Sequence, residues 1–429
     1  MKTTQKLGAL LLGTALLAAA APIEMRLKPK DQENLGKEVR AYYDAYNKSD
    51  GIAKAKASLA EALAKQNKKL SKKAKEEVDL MASPEDLAAI FTASKEYPKR
   101  SPTGRITEFS PDTFFGEPVN YSLLAPKSYK ASKGAMPLIL IIPGESEKPK
   151  ETQLSPKAEL EEEWMMGELR DGAIIAALEM PEDLSLWSGA GGDQLGGLET
   201  VMFALRQIRQ DYAIDADRIY LAGHGAGVAA AADIANVFPY IFAGVIGRAG
   251  DLGPTSPANF RNLPTLFAGG GSGVTAFADA AGTLGYDNVT VKPEARLEDV
   301  WKWVQATKRD SNPSAITFAP TTNIGGCYWL TADGFDPEAE DKPEILAEID
   351  REKNAIVITS KGVLSVTLML NDALVDLDKE VLVICNGVDH KDTFQRNLTT
   401  ALEQFFNSND PGRIYTTYQL YDLPEPKTD

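Results

Sequence analysis

The sequence predicts an α/β fold: a mainly parallel sheet flanked by helices, preceded by a helical segment and followed by a small β-rich module. Three observations carry this expectation. From about 105 to 308, short β-branched or apolar runs alternate with helical stretches, the pattern of a parallel sheet with crossover helices. The connections between them are short, as that architecture requires. At 217–227, a strand (Asp217 to Ala222) runs through a Gly223, Gly225, Gly227 turn into a run of small helix-forming residues.

The elements follow in order. Lys2 and Lys6 precede an apolar run from Leu7 to Leu17, which ends in Ala18 to Ala21 and Pro22. A basic start, a short apolar stretch and small residues at its end describe a secretory signal peptide over 1–21. The run is too short for a membrane span, and no later segment offers one. The expected protein is therefore exported, periplasmic or extracellular. Residues 22–100 read as a helical segment: Ala, Lys, Glu and Leu dominate 52–77. A further helix starts at Ser83, with Pro84 at its first position and Asp86 completing a variant capping box. The linker is expected at 97–104.

In the α/β domain, 101–310, strands are expected at 106–110, 119–125, 137–142, 173–178, 217–222, 243–248, 264–268 and 288–292. Helices are expected at 196–211, 226–238, 275–284 and 296–308. The module at 311–429 should contain strands at Ala315–Phe318, Tyr328–Leu330, Ala355–Thr359, Leu364–Leu370 and Val381–Cys385. Two of them should pair through a turn at Ser360 to Gly362, with a helix at 392–406 and a terminal strand at 413–421.

Composition excludes several functions. The chain has 429 residues, 43% hydrophobic, and a formal charge of −15, which becomes about −17 without the two leader lysines. So acidic a protein repels nucleic acid, and no basic aromatic face argues otherwise. Residues 26–79 run against the trend, with 14 Lys and Arg against 9 Asp and Glu; this reads as a solvated helical surface, or as a patch for an acidic partner. Two cysteines, Cys327 and Cys385, and two histidines provide no material for a Cys/His metal site, and no cofactor is expected. Both cysteines sit in apolar runs, leaving a disulfide and two buried thiols open.

The segment Asp215-Ala216-Asp217-Arg218-Ile219-Tyr220-Leu221-Ala222-Gly223-His224 with Gly227 resembles the nucleophile elbow of α/β-hydrolases, of the secreted esterase and peptidase type akin to polyhydroxybutyrate depolymerases and feruloyl esterases. The resemblance covers roughly 115–308. It implies a serine at the apex of G-x-S-x-G, an acid after a later strand and a histidine after the last strand. Gly225 occupies the serine position. The acid position falls in Gly270-Gly271-Ser272-Gly273, and the histidine position in Glu294-Ala295-Arg296. All three positions (Gly225, Ser272, Ala295) lack the implied side chain. Asp251 is the candidate for a relocated acid, and His224 reads as a packing histidine. His390, in the appended module, is remote in sequence from the elbow.

What the resemblance leaves is backbone. One oxyanion-hole N–H belongs to Ala226, at the start of a helix that favours anions, and the other to Gly144 or Glu145 after the third strand. Together with His224 and Gly225 these outline a residual site for a small acyl or carboxylate ligand, with Glu145 opposing an anion unless it points away. The leading expectation is a binding or scaffold pseudohydrolase, with a protein partner as one outcome. The alternative is an active carboxylic-ester or peptide hydrolase with a non-standard site. The glycine-rich run at 188–197 lacks the ending of a phosphate loop and reads as a loop over the pocket mouth. The acidic run 333–341 reads as solvated surface.

Overall fold

A computed structural model describes residues 25–98, 101–113, 116–145, 153–181, 195–321, 325–339 and 342–425. The leader at 1–21, most of the 188–197 run and the end of the acidic run lie outside the described residues.

Three helices come first: α1 (Pro29–Asn47), α2 (Ile52–Ala74) and α3 (Pro84–Ser94). Ser83 caps α3, accepting the Asp86 N–H at 3.4 Å. Asp86 does not close the expected capping box. It is fully buried, and its carboxylate accepts the Ser83 hydroxyl and the N–H groups of Arg26 and Leu27, so it ties the chain ahead of α1 to α3. The apolar faces of these helices share a core with Ala401, Leu402 and Phe405 from near the other end of the chain.

The central sheet has eight strands: β1 (Ile106–Phe109), β2 (Tyr121–Leu124), β3 (Met136–Ile142), β4 (Ile174–Leu178), β5 (Ile214–His224), β6 (Gly244–Arg248), β7 (Thr265–Ala268) and β8 (Val289–Lys292). Their spatial order is β1-β2-β4-β3-β5-β6-β7-β8, with β2 antiparallel to both neighbours and the rest parallel. This is the α/β-hydrolase topology. Its central strands are covered on both faces, which is why Leu138 to Ile142 read as an unbroken apolar run. The crossovers use α4 (Pro156–Ala158), a π-helical turn (Glu159–Glu163), α5 (Gly167–Gly172), α6 (Gly197–Asp211), α7 (Gly227–Val237), α8 (Ser272–Thr283) and α9 (Leu297–Ala306). The pieces between β3 and β4 were not anticipated; each is too short to show a helical period.

Beyond α9 lie β9 (Ala315–Phe318), β10 (Gly326–Cys327), β11 (Leu330–Phe335), β12 (Glu344–Asp350), β13 (Ala355–Lys361), β14 (Val363–Leu370), β15 (Val381–Cys385), β16 (Val388–Asp392), α10 (Leu398–Ser408) and β17 (Thr417–Asp422). A five-stranded sheet (β16-β15-β13-β12-β9) and a four-stranded sheet (β10-β11-β14-β17) share one apolar core, including Trp329, Ile356, Val366 and Val383.

Two expectations fail here. β13 and β14 do not pair. Gly362 alone separates them, at φ +61, one residue fewer than the tightest common hairpin loop, and the chain turns a corner into the other sheet. Tyr328 and Trp329 form a turn instead of starting a strand. Tyr328 adopts φ +56, held by its hydroxyl on the Asn262 carbonyl at 3.1 Å, while the Trp329 indole donates to the Pro313 carbonyl at 2.8 Å. Cys327 and Cys385 are both free and buried. Among the described residues, no helix is long and apolar enough to cross a membrane.

Candidate functional site

β5 delivers His224 to the carboxyl edge of the sheet, and the turn into α7 follows at once. Gly225 stands at its apex with φ +52, the left-handed conformation of a nucleophile elbow, which glycine adopts with little penalty. Its N–H donates to the Arg248 carbonyl at 3.0 Å. The flanking glycines are required by contact: a Cβ on Gly223 would lie 2.3 Å from the Gly227 carbonyl oxygen, and one on Gly227 would lie 2.4 Å from that of Ile142. The elbow is thereby pressed against the end of β3.

That contact brings the loop after β3 over the apex. Glu145 reaches across, and its Oε2 accepts the Ala226 N–H at 3.1 Å. The same oxygen lies 2.3 Å from where a Cβ on Gly225 would sit. The N–H of Gly144 turns the other way and donates to Glu159 Oε2 at 3.3 Å. Of the donors expected at Ala226 and at Gly144 or Glu145, those of Ala226 and Gly144 are each engaged by a carboxylate of the chain itself. Glu145 points in, so an anionic ligand at the Ala226 N–H must displace it.

Beneath the elbow lies a charged cluster that the sequence did not disclose. Glu159 is fully buried and also accepts the Trp164 indole N–H at 2.9 Å. His224 bridges two carboxylates, with Nδ1 3.2 Å from Glu159 and Nε2 3.4 Å from Glu163. Arg248 lies 5.0 Å above the Trp164 ring and donates to the carbonyls of Glu163 at 2.8 Å and Ala295 at 3.2 Å. The π-helical turn makes this possible by placing Glu159, Glu163 and Trp164 on the face toward the sheet. His224 therefore packs against the β3 loop and is also bonded between two carboxylates. Burial favours its neutral form, but the hydrogen bond and charge of Glu159, with Glu163, outweigh that and raise its pKa above the ordinary 6.5.

A raised histidine pKa fixes the sign of a pH effect. The stabilisation by protonated His224 is fully present below the unfolded-state value and is lost as pH rises through the folded-state value. His224→Gln should therefore lower the melting temperature more at about pH 6 than at about pH 9. Melts of both proteins across that range test this; a difference independent of pH would reject the charged bridge.

The remaining candidates are dispersed. Asp251 accepts the backbone N–H groups of Leu252, Gly271, Gly273 and Val274 at 2.8–3.2 Å, so it closes the start of α8. The Val274 and Gly273 bonds lead in holding its carboxyl below the usual range. Ser272 is the first residue of α8, and Ala295 contributes only its carbonyl, to Arg248. His390 lies on β16 opposite Val383, edge-on to Tyr421 at 5.4 Å, and its buried Nε2 has no hydrogen-bond partner.

No family model matches this chain, and no curated protein matches it. Solved structures align to a little under half of it. A thermostable esterase is 16% identical, with 48% of this chain and 63% of that chain covered and a TM-score of 0.37. An S-formylglutathione hydrolase from Staphylococcus aureus is 10% identical over 47% of this chain and 95% of its own, with a TM-score of 0.34. A ferulic acid esterase is 14% identical over 47% and 94%, with a TM-score of 0.35. The fold assignment rests on strand order and on the elbow.

Proposed function

We propose that this protein is an exported, catalytically silent α/β-hydrolase-fold protein that acts by binding or as a scaffold. The leader-like residues 1–21 support export. The observation that carries the loss of catalysis is the pairing of Gly225 with Glu145. No side-chain atom at the apex can attack a carbonyl, and a carboxylate holds the Ala226 N–H that would stabilise an oxyanion. The other positions agree. Neither Ser272 nor Ala295 can replace an acid or a base, Asp251 is committed to α8, and His224 is held between two glutamates.

The test is hydrolysis of p-nitrophenyl acetate by the purified protein, beside Gly225→Ser and the Gly225→Ser, Glu145→Ala double variant. All three should run at the buffer rate, because a restored hydroxyl still lacks a base. Wild-type turnover above background that disappears in His224→Ala would overturn this reading in favour of a hydrolase with an unorthodox site.

A further inference from the structure

The most unusual concentration of charge lies at the opposite end of the central sheet from the elbow. A cavity of about 330 Å³ opens between α6, the start of β5, α10 and the C-terminal module. It meets β5 at Ala216 and Ile219, six to nine residues before Gly225, so roughly 20–30 Å away along the strand. In a protein of net charge −15, its lining holds three arginines (Arg209, Arg309 and Arg413) against one carboxylate, Asp410.

Only Arg309 is neutralised directly, by Asp410 and Asp217, each at 2.8 Å. Arg413 is 8% exposed, donates to the Tyr328 carbonyl at 2.7 Å, stacks on Tyr240 at 4.0 Å, and keeps a buried Nε with no partner. Arg209 donates to the carbonyls of Ser408 and Asn409, and its Nε is likewise buried and unpartnered. Among the described residues, neither makes a salt bridge. Nearby, burial and next the charge of Arg209 pull Lys95 down to about 7, with Asp410 pulling the other way. Arg413 is buried and Arg209 half-buried, and both share the cavity's single carboxylate, Asp410, with Arg309, so a bound anion would balance the positive charge left over.

Apart from Gln404, Asn407 and Ser408 on the α10 side, the rest of the lining is largely apolar, with Met202, Leu205 and Met369 on the same space. We propose that this cavity binds a small amphiphilic organic anion, its carboxylate between Arg209 and Arg413 and its hydrocarbon body against Met202, Leu205 and Met369. A junction between parts of a chain is where ligand sites concentrate, and the volume fits a small molecule. The assignment is independent of what happens at the elbow.

Sodium hexanoate is the probe, with hexanamide as its uncharged counterpart, inorganic phosphate as a bare anion, and sodium chloride matching ionic strength. Calorimetric titration of the full chain should show one hexanoate bound and a saturable rise in melting temperature, with no response to hexanamide or chloride. Arg413→Met and Arg209→Gln should each weaken hexanoate about tenfold or more. Arg209 is only half-buried, so its variant keeps the test decisive should Arg413→Met fail to fold. Hexanamide binding as well as hexanoate, phosphate binding in preference to it, or unchanged affinity in a folded Arg209→Gln would each overturn the proposal. So would an affinity that changes with Glu145→Ala, since the ligand would then sit at the elbow.

Discussion

Replacing Arg309 with methionine should destabilise the protein by about 3–5 kcal/mol, the effect of removing one partner from a buried ion pair. The side chain is 1% exposed and makes two salt bridges, to Asp217 on β5 and to Asp410 after α10. It also donates to the Tyr240 carbonyl and to Ser311. Asp217 belongs to the central sheet and Asp410 to the C-terminal part, so one guanidinium fastens two bodies of the chain. Methionine fills a similar volume but leaves Asp410, 7% exposed, without its main counter-ion. Burial would raise the Asp410 carboxyl, yet Arg309, Arg413 and Arg209 hold it down at about 2. For a depressed carboxyl, the stabilisation is present above the unfolded value near 4 and is lost as pH falls through the folded value. Urea unfolding should therefore show the full loss at neutral pH and a narrowing gap between wild type and variant from about pH 4 toward 2. A neutral-pH loss below about 1 kcal/mol would mean that the pair is no stronger than a surface bridge.

The same ion pair illustrates what sequence can and cannot disclose. All eight strands of the central sheet were legible: the central ones, covered on both faces, are continuous apolar runs, and the edge strands β1 and β8 are short, β-branched-rich runs next to crossover helices or turns. The elbow was legible because its glycines answer to contacts only glycine can make. Partnerships between distant segments were not. Arg309 and Asp410 lie 101 residues apart, and Glu159 and His224 lie 65 apart. Nothing in the sequence of Glu159 to Glu163 marks Glu159 for burial; only the π-helical turn and the arrival of His224 and Arg248 make it intelligible. Glu145 could be placed beside the oxyanion position from sequence, but the direction of its side chain could not. β13 and β14 have the alternation of a hairpin, and what separates them into two sheets is the single residue Gly362, a matter of loop length rather than pattern.

Gly250→Ala tests whether the elbow is still a rigid object once its chemistry is gone. A Cβ there would lie 1.9 Å from the Gly225 carbonyl oxygen and 2.7 Å from both the Gly225 carbonyl carbon and a Val228 methyl. Two of those atoms are backbone of the turn itself, so no side-chain rotation relieves the clash; β6 or the elbow must move. The expected loss is about 3 kcal/mol or more, at the upper end of overpacking effects. Gly282→Ala provides the contrast. It is an exposed position within α8 where a Cβ meets nothing within 4 Å, so the identical substitution should stabilise by about 0.5–1 kcal/mol. Gly225→Ala should fall between them. Its nearest contact is the far end of the Glu145 side chain, which can swing away, leaving a 3.3 Å approach to the Gly144 Cα and the penalty of φ +52, on the order of 1–3 kcal/mol. Urea unfolding of the three variants reads this order directly. If Gly250→Ala were tolerated as well as Gly282→Ala, the turn would be plastic, and its glycines could not be explained by packing. If the order holds, the elbow persists because the fold is built around it: the strand, the turn and α7 remain fixed by backbone contact whether or not a nucleophile stands at the apex.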